Sequence, residues 1–200
     1  MRRAAAGDLS SAVEMLCKHN VFLIGPMGSG KTAVGRQLAR LLGHSFHDSD
    51  ADIEARTGVD IAYIFEQEGE AGFRARERES IERLTALDGV VLATGGGAVI
   101  DPANRHALAE RGAVVYLQTS VAQQLARTRW ARHRPLLAGA DPAHTLTELM
   151  EKRARLYAEI ADVTVTTDGR RVAVVTDEIL RELRQAREAA ATYNRPSCKP

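Results

Sequence analysis

Eight consecutive residues, Gly25-Pro-Met-Gly-Ser-Gly30-Lys31-Thr32, have the types and spacing G-x-x-x-x-G-K-[ST] that wrap a polyphosphate. The glycines let the chain curl tightly and bring backbone N–H groups to phosphate oxygens with no Cβ in the way. A helix expected to open at Lys31 adds partial positive charge at the same place. Lys31 can bridge the terminal phosphates, and the Thr32 hydroxyl can face a divalent cation. The loop reads as a nucleoside triphosphate site and does not name the acceptor.

Acceptor chemistry must come from elsewhere. Asp48-Ser49-Asp50 offers two carboxylates one residue apart, which cannot easily point the same way on an extended chain. One can face a metal and the other a substrate hydroxyl; the other reading is a helix N-cap followed by a first-turn acid. Gly95-Gly96-Gly97 gives up side-chain packing, which suits a place where substrate lies against bare backbone or, more simply, a turn. Arg74 and Arg153 stand alone on expected helices, as anion ligands or as surface ion pairs. Arg127, Arg129, Arg132 and Arg134 lie in or beside an irregular segment that could close on the triphosphate or remain a solvated basic loop. His47, His106, His133 and His144 show no metal-ligand spacing and read as structural.

Alternating strands and helices must position these groups. Asn20–Gly25 is a short apolar run ending in glycine, and Val90–Thr94 and Ala113–Leu117 are similar. His44–His47 and Val163–Val165 complete five expected strands. Helices are expected over Thr32–Leu42, Asp50–Thr57, Ile61–Glu68, Glu70–Leu87, Asp101 to about Gly112, from Ser120, about Pro142–Tyr157, and Val172–Glu188. This order predicts an α/β three-layer sandwich, a five-stranded parallel sheet with right-handed crossovers and ligands beyond the strand C-termini. Residues 1–19 form an N-terminal extension with a helical pattern at Leu9, Val13 and Leu16, residues 20–188 a single domain, and residues 189–200 a flexible tail.

Composition sets the bounds. The chain has 200 residues, 44% hydrophobic and 26% charged, which fits one soluble domain. The longest uncharged stretch, residues 112–126, is too short and too polar to span a bilayer, and no apolar run follows Arg2 and Arg3. A net charge of +1 argues against a nucleic-acid partner. It conceals asymmetry: eight acids and only Arg56 from Asp48 to Glu70, against five arginines and no acid from Arg111 to Arg134. Cys17 and Cys198 fit free thiols in a reducing cytoplasm.

Taken together, the Gly25–Thr32 loop, Asp48-Ser-Asp50, Phe73-Arg74, Gly95–Gly97, Arg134-Pro-Leu-Leu137 and Lys152-Arg153-x-x-x-Tyr157 resemble the shikimate kinase family over roughly Val21 to Arg184. The resemblance implies a P-loop kinase of the nucleoside monophosphate kinase-like fold, with a mobile lid at about residues 129–142. It implies transfer of the ATP γ-phosphate to the 3-hydroxyl of shikimate, a step of aromatic amino-acid biosynthesis, with Mg²⁺ as cofactor. By position, Asp50 would hold ring hydroxyls and act as base or orienting group. Arg74 and Arg153 would grip the carboxylate, and Gly95, Gly96 and Gly97 would offer backbone contact. Gly28, Ser29, Gly30, Lys31, Thr32 and Ala33 would hold ATP, with Arg134 reaching the phosphates and Arg127 near the adenine. Thr32 and Asp48 would serve Mg²⁺. A cytoplasmic monomer is expected. The segment Thr128–His133, with Trp130, and the loop Asp168-Gly169-Arg170 depart from the family pattern.

Overall fold

A computed structural model of the chain describes residues 20–128 and 141–193. The expected helix around Leu9–Leu16, both cysteines, the Arg129, Arg132 and Arg134 positions and most of the expected lid lie outside the described residues.

Five strands, β1 (Val21–Ile24), β2 (Ser45–Asp48), β3 (Val90–Ala93), β4 (Ala113–Gln118) and β5 (Val163–Thr166), form one parallel sheet in the order β2-β3-β1-β4-β5. Seven α-helices are described: α1 (Lys31–Leu42), α2 (Ser49–Thr57), α3 (Ile61–Thr85), α4 (Pro102–Arg111), α5 (Val121–Thr128), α6 (Pro142–Ile160) and α7 (Val172–Tyr193). The expected α/β three-layer sandwich is the fold observed.

Strand periodicity builds the layers. Val21 and Leu23 of β1 face one way and pack with Val34 and Leu38 of α1 and Val175 and Ile179 of α7. Phe22 and Ile24 face the other way and meet Ile81 and Leu84 of α3, Leu108 of α4 and Tyr157 of α6. Phe22, Leu23 and Ile24 are all fully buried, each contributing about 1.5–3 kcal/mol of burial free energy. Central strands β1 and β3 are therefore apolar throughout, whereas edge strand β5 alternates buried valines with exposed threonines.

Local signals set the helix ends. Gly43, at φ 69°, closes α1 with its N–H on the Ala39 carbonyl. Asp101 caps α4 through the Ala103 N–H, and Pro102 occupies the first turn. The two helices expected on either side of Gly69 meet across a break, because Gly69 holds φ 68° and ψ −174° inside α3. The last helix runs past Glu188 to Tyr193, into the segment expected to be a flexible tail. A 3₁₀ turn at Ala98–Ile100, following the glycines, was not expected.

Because all five strands run in parallel, the residues that follow β1, β2, β3 and β5 emerge at one edge of the sheet. Among the described residues, no helix is long and apolar enough to cross a membrane.

Candidate active site

The loop after β1 supplies the phosphate cradle. Gly25, Gly28 and Gly30 hold φ 138°, 76° and 94°, a region that side-chain-bearing residues rarely adopt. A Cβ on Gly25 would also fall 2.5 Å from the Leu117 carbonyl oxygen. Lys31 Nζ donates to the carbonyls of Gly25 at 2.7 Å and Pro26 at 2.8 Å, which holds the ammonium along the inner rim. Ser29 is buried behind the loop, whereas Gly28, Gly30, Thr32 and Ala33 line the cavity in front of it.

The helix N-cap reading of Asp48-Ser-Asp50 is what the structure shows, and the same side chain also reaches the phosphate loop. Asp48 Oδ1 caps α2 by accepting from Asp50 N at 3.1 Å and Ala51 N at 3.5 Å. Its Oδ2 accepts from Thr32 Oγ1 at 2.9 Å, joining the end of β2 to the phosphate loop. Asp50, one step into α2, turns inward. Its Oδ1 is buried without a hydrogen-bond partner. Burial, reinforced by Asp48 and Glu77 and opposed by Lys31, pushes the Asp50 carboxyl up to about 7.

The glycine loop after β3 is shaped by the protein's own side chains. A Cβ on Gly95 would lie 2.7 Å from Asp50 Oδ1 and 2.8 Å from Glu77 Oε1. One on Gly97 would lie 2.5 Å from both terminal nitrogens of Arg74. Neither glycine has positive φ, so close approach rather than backbone conformation demands them. The sequence left open a substrate contact or a plain turn; Asp50, Glu77 and Arg74 lie against Gly95 and Gly97, and all three glycines line the cavity.

Arg74, on α3, is held by Glu77 Oε2 at 2.7 Å and Glu70 Oε1 at 3.0 Å. Glu77 is 1% exposed; burial raises its pKa, and Arg74 and Arg153 act against that rise. Arg153, on α6, is 6% exposed, and its Nε is buried without a hydrogen-bond partner. Neither arginine is therefore the plain surface ion pair that the sequence left open.

These groups face a single cavity of about 590 Å³. Lys31, Thr32, Asp48, Asp50, Arg74 and Arg153 line it together, with Gly95, Gly96 and Gly97 on the wall between them. Arg127 closes one end, donating to the Gly28 carbonyl at 2.9 Å and the Thr167 carbonyl at 2.9 Å. Asp168, in the loop after β5, accepts from Thr119 and Ser120, bonds that hold its carboxyl below the usual range. Arg134 lies outside the described residues. His106 and His144 each pair with an exposed glutamate one helical turn on, Glu110 and Glu148. Among the described residues, no three His, Cys, Asp or Glu side chains gather as a metal site.

Sequence reasoning missed Glu77, Ser49 and the second acidic shoulder of the cavity at Glu54 and Asp60. The only trace of Glu77 was its place three residues after Arg74 in a helix dense with Glu–Arg pairs, a pattern that usually marks a solvated face.

Chemically, the cavity joins a glycine-rich loop of polyphosphate-binding type, a carboxyl of raised pKa and two guanidiniums suited to a small carboxylate. A family model described as Shikimate kinase matches residues 27–184. A shikimate kinase of Halorhodospira halophila is 58% identical over 82% of this chain and 92% of its own. One from Hahella chejuensis is 52% identical over 88% and 92%. The solved structure of shikimate kinase from Acinetobacter baumannii in complex with shikimate is 45% identical, with a TM-score of 0.83 over 87% of this chain and 97% of that one.

Proposed function

This chain belongs to the shikimate kinase family, and from that premise we propose how its residues divide the work of phosphorylating shikimate with ATP. The reaction class is the family's: an ATP-dependent phosphotransfer. The finer reading is that the 3-hydroxyl attacks the γ-phosphorus while the bond to the ADP oxygen breaks, and Asp50 accepts or orients the hydroxyl proton. The observation that carries this reading is the shared cavity of Lys31, Asp50, Arg74 and Arg153.

Each group has a physical task. The Gly25–Thr32 backbone and Lys31 hold the triphosphate tail, with Gly28, Ser29, Gly30 and Ala33 in the same turn. Arg74 and Arg153 take the shikimate carboxylate in a forked, charge-assisted grip, which fixes the ring relative to the γ-phosphate. Gly95–Gly97 passes backbone close to the ring. Arg127 borders the adenine end, and Arg134 is assigned to the phosphates from its place in the sequence motif. Phosphoryl transfer asks little covalent help, so positioning and charge neutralisation supply most of the acceleration.

Asp50 meets two requirements of a base here. A carboxyl near 7 is half ionised at neutral pH yet still attracts a proton, and Lys31 nearby favours its charged form. Its inward Oδ1 is free of competing donors.

The residues fit Mg²⁺. Thr32 Oγ1 and Asp48 Oδ2 are hard oxygen donors 2.9 Å apart at the mouth of the phosphate loop, and Mg²⁺ binds through few protein ligands plus phosphate oxygens and water. When bound there it neutralises phosphate charge. Lys31, Thr32, Asp48, Asp50, Arg74 and Arg153 line one cavity of one chain, so the reading includes action as a monomer. It also takes the cytoplasm as the compartment.

The test is ADP release followed with shikimate, gluconate and nucleoside monophosphates as acceptors. Turnover with shikimate is expected. Turnover only with one of the other acceptors would contradict the reading.

A further inference from the structure

The Gly95–Gly97 loop is latched from two sides by buried hydroxyls, and each latch belongs to a different half of the site. Gly95 N–H donates to Ser49 Oγ at 2.9 Å, and Ser49, fully buried, immediately precedes Asp50. From the opposite side Tyr157 donates its phenol to the Gly96 carbonyl at 2.5 Å. Tyr157 is also fully buried and sits one helical turn after Arg153 on α6.

We propose that Ser49 and Tyr157 are positioning residues that tie Asp50 and Arg153 to one glycine loop, holding base and carboxylate grip at a fixed separation. The inference rests on the roles given above to Asp50 and Arg153.

The physical reason lies in the loop itself. Three glycines have no side chains to wedge into the core, so their backbone is held only by the groups packed against it and by its own hydrogen bonds. The Gly95 and Gly97 carbonyls accept from Ala98 and Ile100 within the turn itself, whereas the Gly95 N–H and the Gly96 carbonyl bond to side chains of other elements, and each of those partners is rigid. Ser49 is locked between the Asp48 cap and the first turn of α2. The Tyr157 ring stacks on Tyr116 of β4, with centroids 5.0 Å apart, which fixes its direction. Burial pushes the phenol well above its usual range, so it remains a donor throughout the working pH range. A loop freed at either anchor could drift, and a shift of about 1 Å in a reacting geometry costs about 100-fold in rate.

The test uses the full chain, with ADP release measured against both substrates and thermal melting run alongside. Tyr157→Phe keeps the ring and deletes the latch; its KM for shikimate should rise about tenfold or more while KM for ATP stays within about twofold. Ser49→Ala should lower kcat about tenfold, again with little change in KM for ATP. Tyr116→Phe, a hydroxyl removed from the same ring pair, should leave both parameters unchanged. If Tyr157→Phe does not fold, Ser49→Ala alone decides.

Variants that melt lower yet keep kcat and KM for shikimate would overturn the latch and leave only a structural role. So would equal rises in both KM values. A wild-type chain inactive on shikimate would instead overturn the functional reading on which the inference stands. An active wild type with indifferent variants defeats the latch alone.

Discussion

Glu77 holds Arg74 through one carboxylate oxygen at 2.7 Å, while its other oxygen lies buried against Gly95 without a hydrogen-bond partner. An almost fully buried acid thus orients a guanidinium that lines the cavity. The pair lies three residues apart on one helix, so its geometry is set by α3 itself and its burial by the loop packed above.

Glu77→Gln should keep the volume but lose the charge that aligns Arg74. Its KM for shikimate should rise, with kcat falling less, in steady-state kinetics. Glu77→Ala should in addition destabilise the fold, by less than the roughly 3 kcal/mol of a fully broken buried pair because Arg74 keeps Glu70, as read by chemical denaturation. Unchanged KM in both variants would remove Glu77 from the substrate grip.

Asp50→Asn should lower kcat by about 10²- to 10⁴-fold while the fold persists. Its stability relative to wild type should depend on pH with a definite sign. Asp50 has an ordinary value of 3.8 and a folded value of about 7, so the native state retains a proton that the unfolded chain releases between them. Below that window the carboxyl is neutral in both states and wild type suffers nothing. As pH rises through it, wild type loses stability relative to the Asn variant, by at most about 4 kcal/mol. Melting curves at pH 4 and pH 8, roughly the limits of that window, check the trend. A gap that narrows with rising pH would contradict it. For the same reason kcat/KM of wild type should rise with pH and level off above about 7.

Asp48→Asn separates capping from metal binding. Asn caps helices about as well as Asp, so stability should change by no more than about 0.5 kcal/mol. The Mg²⁺ concentration for half-maximal activity should rise about 10- to 100-fold. An unchanged Mg²⁺ requirement would leave Asp48 only its bonds to α2 and Thr32.

The sequence made much of this site legible, for reasons that differ by residue. The phosphate loop is contiguous, so its spacing is its geometry, and Gly43, Gly69 and Asp101-Pro102 mark helix boundaries by backbone chemistry alone. Apolar runs at β1 and β3 identified central strands because both of their faces are covered. Glu77 was not legible: burial arises only when the loop after β3 folds over α3, and a Glu–Arg spacing looks the same on a solvated helix. Nor was the reason for Gly95 and Gly97, whose crowding comes from side chains on α2 and α3. Ser49 drew no reading of its own, because nothing local announces a hydrogen bond to a residue 46 positions away.

The claim on which all else depends is that Arg153 and Arg74 recognise a carboxylate beside the phosphate cradle. The most direct measurement is the ratio of kcat/KM for shikimate to that for its neutral methyl ester, in wild type and in Arg153→Ala. Wild type should prefer the acid by about 100-fold or more, and the variant should lose most of that preference, about 2–5 kcal/mol of transition-state discrimination. Equal use of acid and ester by wild type, or a preference that survives Arg153→Ala intact, would contradict the account.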